Sequence, residues 1–448
     1  MKLLYVTPNP IRLYGQGGAA VTNVWCLEHF LRRGFDVTVL YFETPTIGET
    51  VYTAEEKRRD HEAMLARGVK EVRSLVRPDI PAPATYPKAF IRRQIAKYRD
   101  RIAAARGARA LSDALAREVD ATNPDLCFLF TETVFYATGI TGTPMVNWSP
   151  PPQIPFWRIH IDLGWSRIWG QKWLAELYHP IRLFLHRRSF RKWIDAVDVV
   201  LCPSAWYAKL FIKIARDPSK IVEFPHPAAD EARGFTCGDP ASPPPNRPFV
   251  VMIVGHLRST FSSAAFKFLA TEILPELERR GLTDRLEFHL IGKFEPVPNI
   301  APLLNHKCIR RLGYVENLGD AVNRSDVVLQ AMPYAPGVGM RLSALTSAYP
   351  CLVLHDVIGR SLPEFRHDEN CLLAKTGSEF VDAIMKACED RDLNRRLRIG
   401  ARATYEKYYH VDHLGTVLDS VVEKATAHWR KRHLGVGGRK AERQPEAV

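Results

Sequence analysis

Short apolar runs alternate with longer stretches of helical spacing from the first residues onward. Leu3 to Thr7 is an apolar run, followed by a loop containing Gly15-Gln16-Gly17-Gly18. From about Ala20 to Arg33, Val21, Val24, Trp25, Leu27 and Leu31 recur near a helical period, and the pattern stops at Gly34. Asp36 to Phe42 then reads as a second strand, which makes the opening a βαβ unit.

Residues 51 to 120 are rich in Ala, Arg, Glu and Lys, with a proline break between Pro78 and Pro87, and their composition predicts helices. Strands follow at Leu126 to Phe130, at Pro144-Met145-Val146 and at Val197 to Cys202. A second series begins with a strand at Phe249 to Val254, a helix over 262–280 and a strand at Leu286 to Ile291. It continues with strands at Cys308 to Leu312, Val327 to Gln330 and Cys351 to His355, with a helix over 341–348 before the last. This alternation predicts an α/β chain of two Rossmann-like, doubly wound domains facing a central cleft.

The expected boundaries are 1–230 for the first domain, 231–248 for a proline-rich linker without hydrophobic period, and 249–405 for the second domain. A helix over 406–430 is expected to pack back on the first domain, and 431–448 to be a disordered basic tail.

The length of 448 residues suits two such domains, and 46% hydrophobic with 25% charged residues is a globular composition. No apolar run is long enough for a membrane helix, and the start lacks a secretory pattern, so a cytoplasmic protein is expected. The eight cysteines stand singly, which predicts reduced core thiols rather than a zinc site. A formal charge of +13 implies an anionic partner, yet no nucleic-acid motif is present. Sugar diphosphates and acidic lipid remain.

Three loops carry candidate chemistry. Gly15 to Gly18 lies between strand and helix, where bare amides and the helix dipole suit an anion, although Val21 at the third glycine place disfavours a dinucleotide. A plain loop fits equally. Gly255-His256-Leu257-Arg258 repeats that arrangement in the second domain, with Arg258 at a helix start. Pro333 to Leu342 holds Gly337, Gly339 and Met340, with Arg341 in the first helical turn after the strand ending at Gln330. Amides plus one arginine suit the charge on a departing diphosphate.

The second half resembles family-4-like GT-B glycosyltransferases, the glycosyl transferases of group 1. The resemblance runs, in order, through Ile253-Val254-Gly255, Pro275-Glu276-Leu277, Leu290-Ile291-Gly292, Gly313 to Leu318, Ser325-Asp326-Val327, Gly337-Val338-Gly339 and Pro350 to Leu354. Pro363-Glu364-Phe365 and Asn370 to Leu373 follow the same pattern, and the first half matches more loosely through Gly17-Gly18 and Ala196 to Ser204. The resemblance implies a nucleotide-sugar donor with its base near Tyr314 and Val315, and its diphosphate on Arg258, Gly339, Met340 and Arg341. It further implies Gly17 and Gly18 across the cleft, Glu364 on donor sugar hydroxyls, no metal or other cofactor, and retention of anomeric configuration.

Two departures stand out. The glutamates that the family carries around the last glycine loop are replaced by Ala335 and Ser343, and its N-domain histidine is absent where Asn147-Trp148-Ser149 follow the strand. Glu132 and Asn147, at carboxyl ends of first-domain strands, are the candidates to fill the gap, with a loop-capping role as the alternative for each. An epimerase of the same fold and a non-catalytic nucleotide-sugar-binding scaffold stay open beside the transferase.

Residues 148–206 hold seven of the nine tryptophans. Trp165, Trp169, Trp173, Leu177, Ile181 and Leu185 repeat every four residues beside Arg167, Lys172, Arg182, Arg187, Arg188 and Arg191. A basic aromatic stripe of this kind suits a membrane interface, a buried helix or a dimer contact. With membrane contact through 151–193, the protein would sit peripherally at the inner face of the membrane, and the acceptor would be a glycan or lipid-linked sugar.

Overall fold

The computed structural model describes residues 1–11, 18–43, 53–76, 107–149, 184, 187–232, 247–293, 295–334 and 340–434. The first unit is a seven-stranded sheet in the order β3-β2-β1-β4-β5-β6-β7, every neighbouring pair parallel. Its strands are β1 (Lys2–Thr7), β2 (Asp36–Glu43), β3 (Glu71–Val76), β4 (Leu126–Phe130), β5 (Met145–Trp148), β6 (Val199–Cys202) and β7 (Ile221–Glu223). The second unit is a six-stranded parallel sheet in the order β10-β9-β8-β11-β12-β13. Its strands are β8 (Phe249–Val254), β9 (Leu286–Ile291), β10 (Ile309–Gly313), β11 (Val327–Gln330), β12 (Leu352–His355) and β13 (Leu372–Ala374).

The central strands are apolar on both faces because both faces are covered. Tyr5, Phe128, Phe130, Val146 and Trp148 pack towards Cys26, Leu27 and Phe30 of helix Gly18–Arg32 and towards Leu414, Leu418 and Val421 of helix Val411–Leu434. Leu4, Val6, Cys127, Leu129 and Met145 face Leu111 and Leu115 of helix 107–122 together with Phe190, Trp193 and Phe211. In the second unit, Val251, Phe288 and Leu290 meet Phe266, Leu277 and Ile384 on one side. On the other, Met252, Val328 and Leu354 meet Leu345, Ile358 and Tyr405.

Several expectations are corrected. The stretch 51–120 contains the edge strand β3, whose Val72 pairs with Val39 of β2, so its helical composition yields to sheet pairing. Helix 262–280 is three consecutive pieces, Thr260–Phe268, a π turn at Leu269–Ile273, and Leu274–Arg279 with a proline near its start. The final helix continues to Leu434, where Arg432 binds Asp198, so 431–434 is ordered helix rather than tail. Residues 435–448 and the tryptophan stripe at 165–185, apart from Phe184, lie outside the described residues, as does 233–246 of the linker. The described cysteines are buried and free.

The chain crosses between the units twice, and the crossings touch. Ala228 pairs with His410 in a parallel bridge, Ala228 N donating to Tyr409 O at 3.2 Å. On the far side of the crossing, Asp230 is held by Arg402 of helix Arg391–Tyr408. The last helix then returns to the first unit, where Asp419 accepts from His29 and Arg33 at 2.9 and 3.1 Å. No helix among the described residues is long and apolar enough to cross a membrane.

Candidate active site at the carboxyl edges of the two sheets

Glycines line the carboxyl edge of the second sheet. Gly255, after β8, donates to Ile291 O at 2.9 Å, and Gly292, after β9, donates to Gly313 O at 2.8 Å. The turns nest so closely that a Cβ on Gly292 would lie 1.7 Å from Gly255 O. Gly313 takes a left-handed φ of 70° as β10 ends. The result is a shelf of backbone with few side chains, beside which Tyr314 is exposed with Lys293 Nζ 5.0 Å from its ring centroid. Val315 lines a groove of about 390 Å³ between the face of β8 and β9, at Val250, Met252, His289 and Ile291, and helix Leu318–Asn323.

Two helices start at the same edge. Helix Thr260–Phe268 follows β8 and is capped by Ser259, whose hydroxyl accepts from Ser262 N at 3.1 Å. Arg258 is exposed immediately before that cap. Helix Met340–Ser347 follows β11, with Arg341 as its second residue. The positive dipole ends at both starts favour an anion at this edge. Gly337 and Gly339 lie outside the described residues, and Ser343 is buried.

Glu364 is buried. Its carboxyl accepts from Tyr409 Oη at 2.5 Å and is 9% exposed, while Asn370 Nδ2 donates to its carbonyl. Burial pushes its pKa up, against the lowering effect of Tyr409. Glu223, at the end of β7, is raised too, by desolvation first and then by Glu364.

In the first unit, β4 is followed by Thr131, which takes a left-handed φ of 52° although it is not glycine. Glu132 follows, exposed, in a short helical turn. Asn147 is not past its strand but within β5, fully buried, and its Nδ2 donates to the carbonyls of Leu129, Thr131 and Trp148. That bonding makes it a brace for the strained turn before Glu132. Gly17 lies outside the described residues, and Gly18 is the first residue of helix Gly18–Arg32. Asp390 of Asp390-Arg391-Asp392 caps a helix, accepting from Leu393 N.

Two residues here escape sequence reasoning. Lys293 adds a cation to the glycine shelf and is announced only by its place after a strand and a glycine. His226, from Pro225-His226-Pro227 just beyond β7, is buried with Nδ1 2.5 Å from Thr22 Oγ1.

Residues 248–390, which contain the whole glycine shelf and both helix starts, match the family described as glycosyl transferases group 1. The chain carries a group 1 glycosyl transferase domain in a GT-B fold. That match supports an enzyme of GT-B type with sugar transfer as its general chemistry. Among solved structures, Anabaena HepE in complex with UDP and glucose is similar with a TM-score of 0.59 at 13% identity, covering 94% of this chain and 99% of that one. Sucrose-phosphate synthase from Thermosynechococcus elongatus is similar with a TM-score of 0.63 at 10% identity, covering 95% and 99%. The lipopolysaccharide outer core galactosyltransferase WaaB has a TM-score of 0.55 at 13% identity, covering 95% and 100%. These likenesses are of fold. No curated protein sequence matches the chain.

Proposed function

We propose that the enzyme transfers a sugar from a uridine-diphosphate-linked donor to a hydroxyl of a glycan or lipid-linked acceptor, with retention and without a metal. The observation that carries this reading is the convergence of two helix starts, Arg258 and the glycine shelf at one sheet edge within the matched domain. A leaving diphosphate gains negative charge there, and preorganised amides and arginines stabilise it at no reorganisation cost. The UDP bound in the HepE structure supports uridine as the base. Cationic side chains and dipoles take the part that a divalent ion would otherwise play. In the retaining reaction, the leaving phosphate itself withdraws the proton from the acceptor hydroxyl, and Glu132 orients that hydroxyl.

Peripheral membrane contact belongs to the same proposal. Phe184 is 65% exposed beside Arg187, Arg188, Arg191, Lys192 and Arg216, which line one open depression with Asp195 as its acid. Such a basic rim with an apolar side chain suits an anionic lipid surface.

Incubation with UDP-glucose, UDP-galactose and UDP-N-acetylglucosamine, with release of UDP as the readout, tests the reaction. An Arg341→Ala variant that keeps full turnover sinks the proposed role of that residue. Epimerisation would change the sugar and release no UDP, and a scaffold would bind without turnover.

A further inference from the structure

Helix 187–196 of the first unit divides its side chains by face. Phe190, Trp193 and Ile194 are buried in the core that they share with Phe211, Leu129 and Val200. Arg187, Arg188, Arg191 and Lys192 are exposed, at the i, i+1, i+4 and i+5 positions that lie together on one side of a helix. Arg216 joins them from the segment after helix Ala205–Ile212. Arg191 Nε donates to Ile214 O at 2.9 Å, and Arg216 pairs with Asp195 at 3.3 Å. Arg187, Arg188 and Lys192 have no carboxylate partner among the described residues. Like charges four residues apart on a helix repel, as Arg187 does with Arg191 and Arg188 with Lys192, and an anion held between them offsets that repulsion.

Two features narrow the anion. Among the described residues the depression sets five cations against one acid, Asp195, which is already paired. One phosphodiester neutralises little of that charge, whereas a diphosphate monoester presents several charged oxygens in one headgroup and matches guanidinium forks. Phe184, 65% exposed, lines the same depression, so an apolar chain attached to the anion has a side chain to lie on. A free diphosphate has no use for it.

The inner side of the helix meets the turn that carries Glu132. Trp193 and Phe135 are edge to face with ring centroids 6.2 Å apart, and Phe135 belongs with Glu132 to the short helix Thr131–Tyr136. The cations and that turn therefore lie on opposite sides of one helix, about 10–12 Å across, a distance that a short saccharide spans. We propose that the basic face of helix 187–196 holds the diphosphate head of a lipid-linked acceptor, with Phe184 against the start of its hydrocarbon chain and its sugar directed towards the Glu132 turn. This rests on the transferase reading and selects a diphosphate-headed lipid over a free glycan as the acceptor.

Titration calorimetry of the full-length chain with farnesyl diphosphate, inorganic pyrophosphate and farnesol tests the site. Farnesyl diphosphate is expected to bind about tenfold more tightly than pyrophosphate, and farnesol not at all. Replacing Arg188→Gln and Lys192→Gln together, both at exposed positions, should weaken farnesyl diphosphate by about tenfold or more, as for loss of a hydrogen bond to a charged group. Phe184→Ser should weaken it too, while leaving pyrophosphate unchanged. Unaltered affinity in the double variant overturns the proposal, as does pyrophosphate binding as tightly as the farnesyl compound. Displacement of farnesyl diphosphate by UDP also overturns it, by putting both diphosphates in one site. Phosphatidylcholine vesicles containing phosphatidylserine that bind a chain indifferent to farnesyl diphosphate overturn it in favour of a general anionic surface. A chain that binds farnesyl diphosphate through these residues yet gains no Tm from UDP keeps the lipid site and loses the nucleotide reading instead.

Discussion

Asp230 and Arg402 clasp one another across the first crossing, Nη1 donating at 2.7 Å and Nη2 at 2.8 Å to the two carboxylate oxygens. Nη1 also reaches Ser347 O, and the guanidinium lies over the rings of Tyr349 and Tyr405. The connection is therefore bound to the second unit just after it leaves the first. Arg402→Ala should lower the unfolding free energy by about 1.5–3 kcal/mol, the range for hydrogen bonds to charged groups, as read from urea unfolding. A loss below the error of that measurement would mean that the clasp contributes nothing.

Gly292→Ala should damage the second unit severely, because its Cβ meets main chain at Gly255 O rather than a side chain able to turn away. An expected cost of about 3 kcal/mol, the upper range for overpacking, should show as a lower Tm. The stabilising effect of UDP should disappear with it.

Arg341→Ala should leave the fold intact and reduce UDP release from the donor by about 10²–10³-fold, as for loss of one donor to a developing anion. Circular dichroism and turnover measured on the same sample separate the two effects.

Acid should destabilise the protein through His226. Its folded pKa of about 3 lies below the unfolded value of 6.5, so the unfolded chain binds the extra proton between them. Stability from this site is full above pH 6.5 and is lost as pH falls towards 3. Between pH 6.5 and 4.5 the wild type should lose about 2–3 kcal/mol relative to His226→Gln, at about 1.4 kcal/mol per pH unit. Parallel stability curves for the two proteins would contradict a buried neutral ring.

Glu364 has the opposite sign. Its folded pKa is raised by burial, so the unfolded chain releases its proton first as pH rises. The associated stability is present below the ordinary glutamate range and is lost as pH climbs through the folded value. Glu364→Gln should therefore gain on the wild type between pH 4.5 and pH 8 in thermal unfolding.

Much of the second unit is legible from sequence, because strand, glycine and helix start follow one another within a few residues. Arg258 before Ser259 and Arg341 in the second position of its helix are fixed by such local order. The three-residue strands β7 and β13 are too short to show a period, and β3 is masked by Ala, Arg and Glu around it. His226 is hidden for another reason: its character comes from Thr22 and Trp148, far away in the chain. Glu364 likewise follows a family pattern in sequence, while Tyr409 decides where its carboxyl points.

The return of helix Val411–Leu434 to the first unit bears on how the protein is made. Leu414, Leu418, Val421 and Ala425 close the face of the sheet that carries Val146 and Trp148. During translation that face emerges long before the helix that covers it, and each of the larger side chains withholds about 1.5–3 kcal/mol until then. The nascent first unit is thus an unfinished body that waits, with exposed apolar surface, for helix Val411–Leu434. Premature termination anywhere before Val411 would leave the first unit, which lies far upstream, without a closed core.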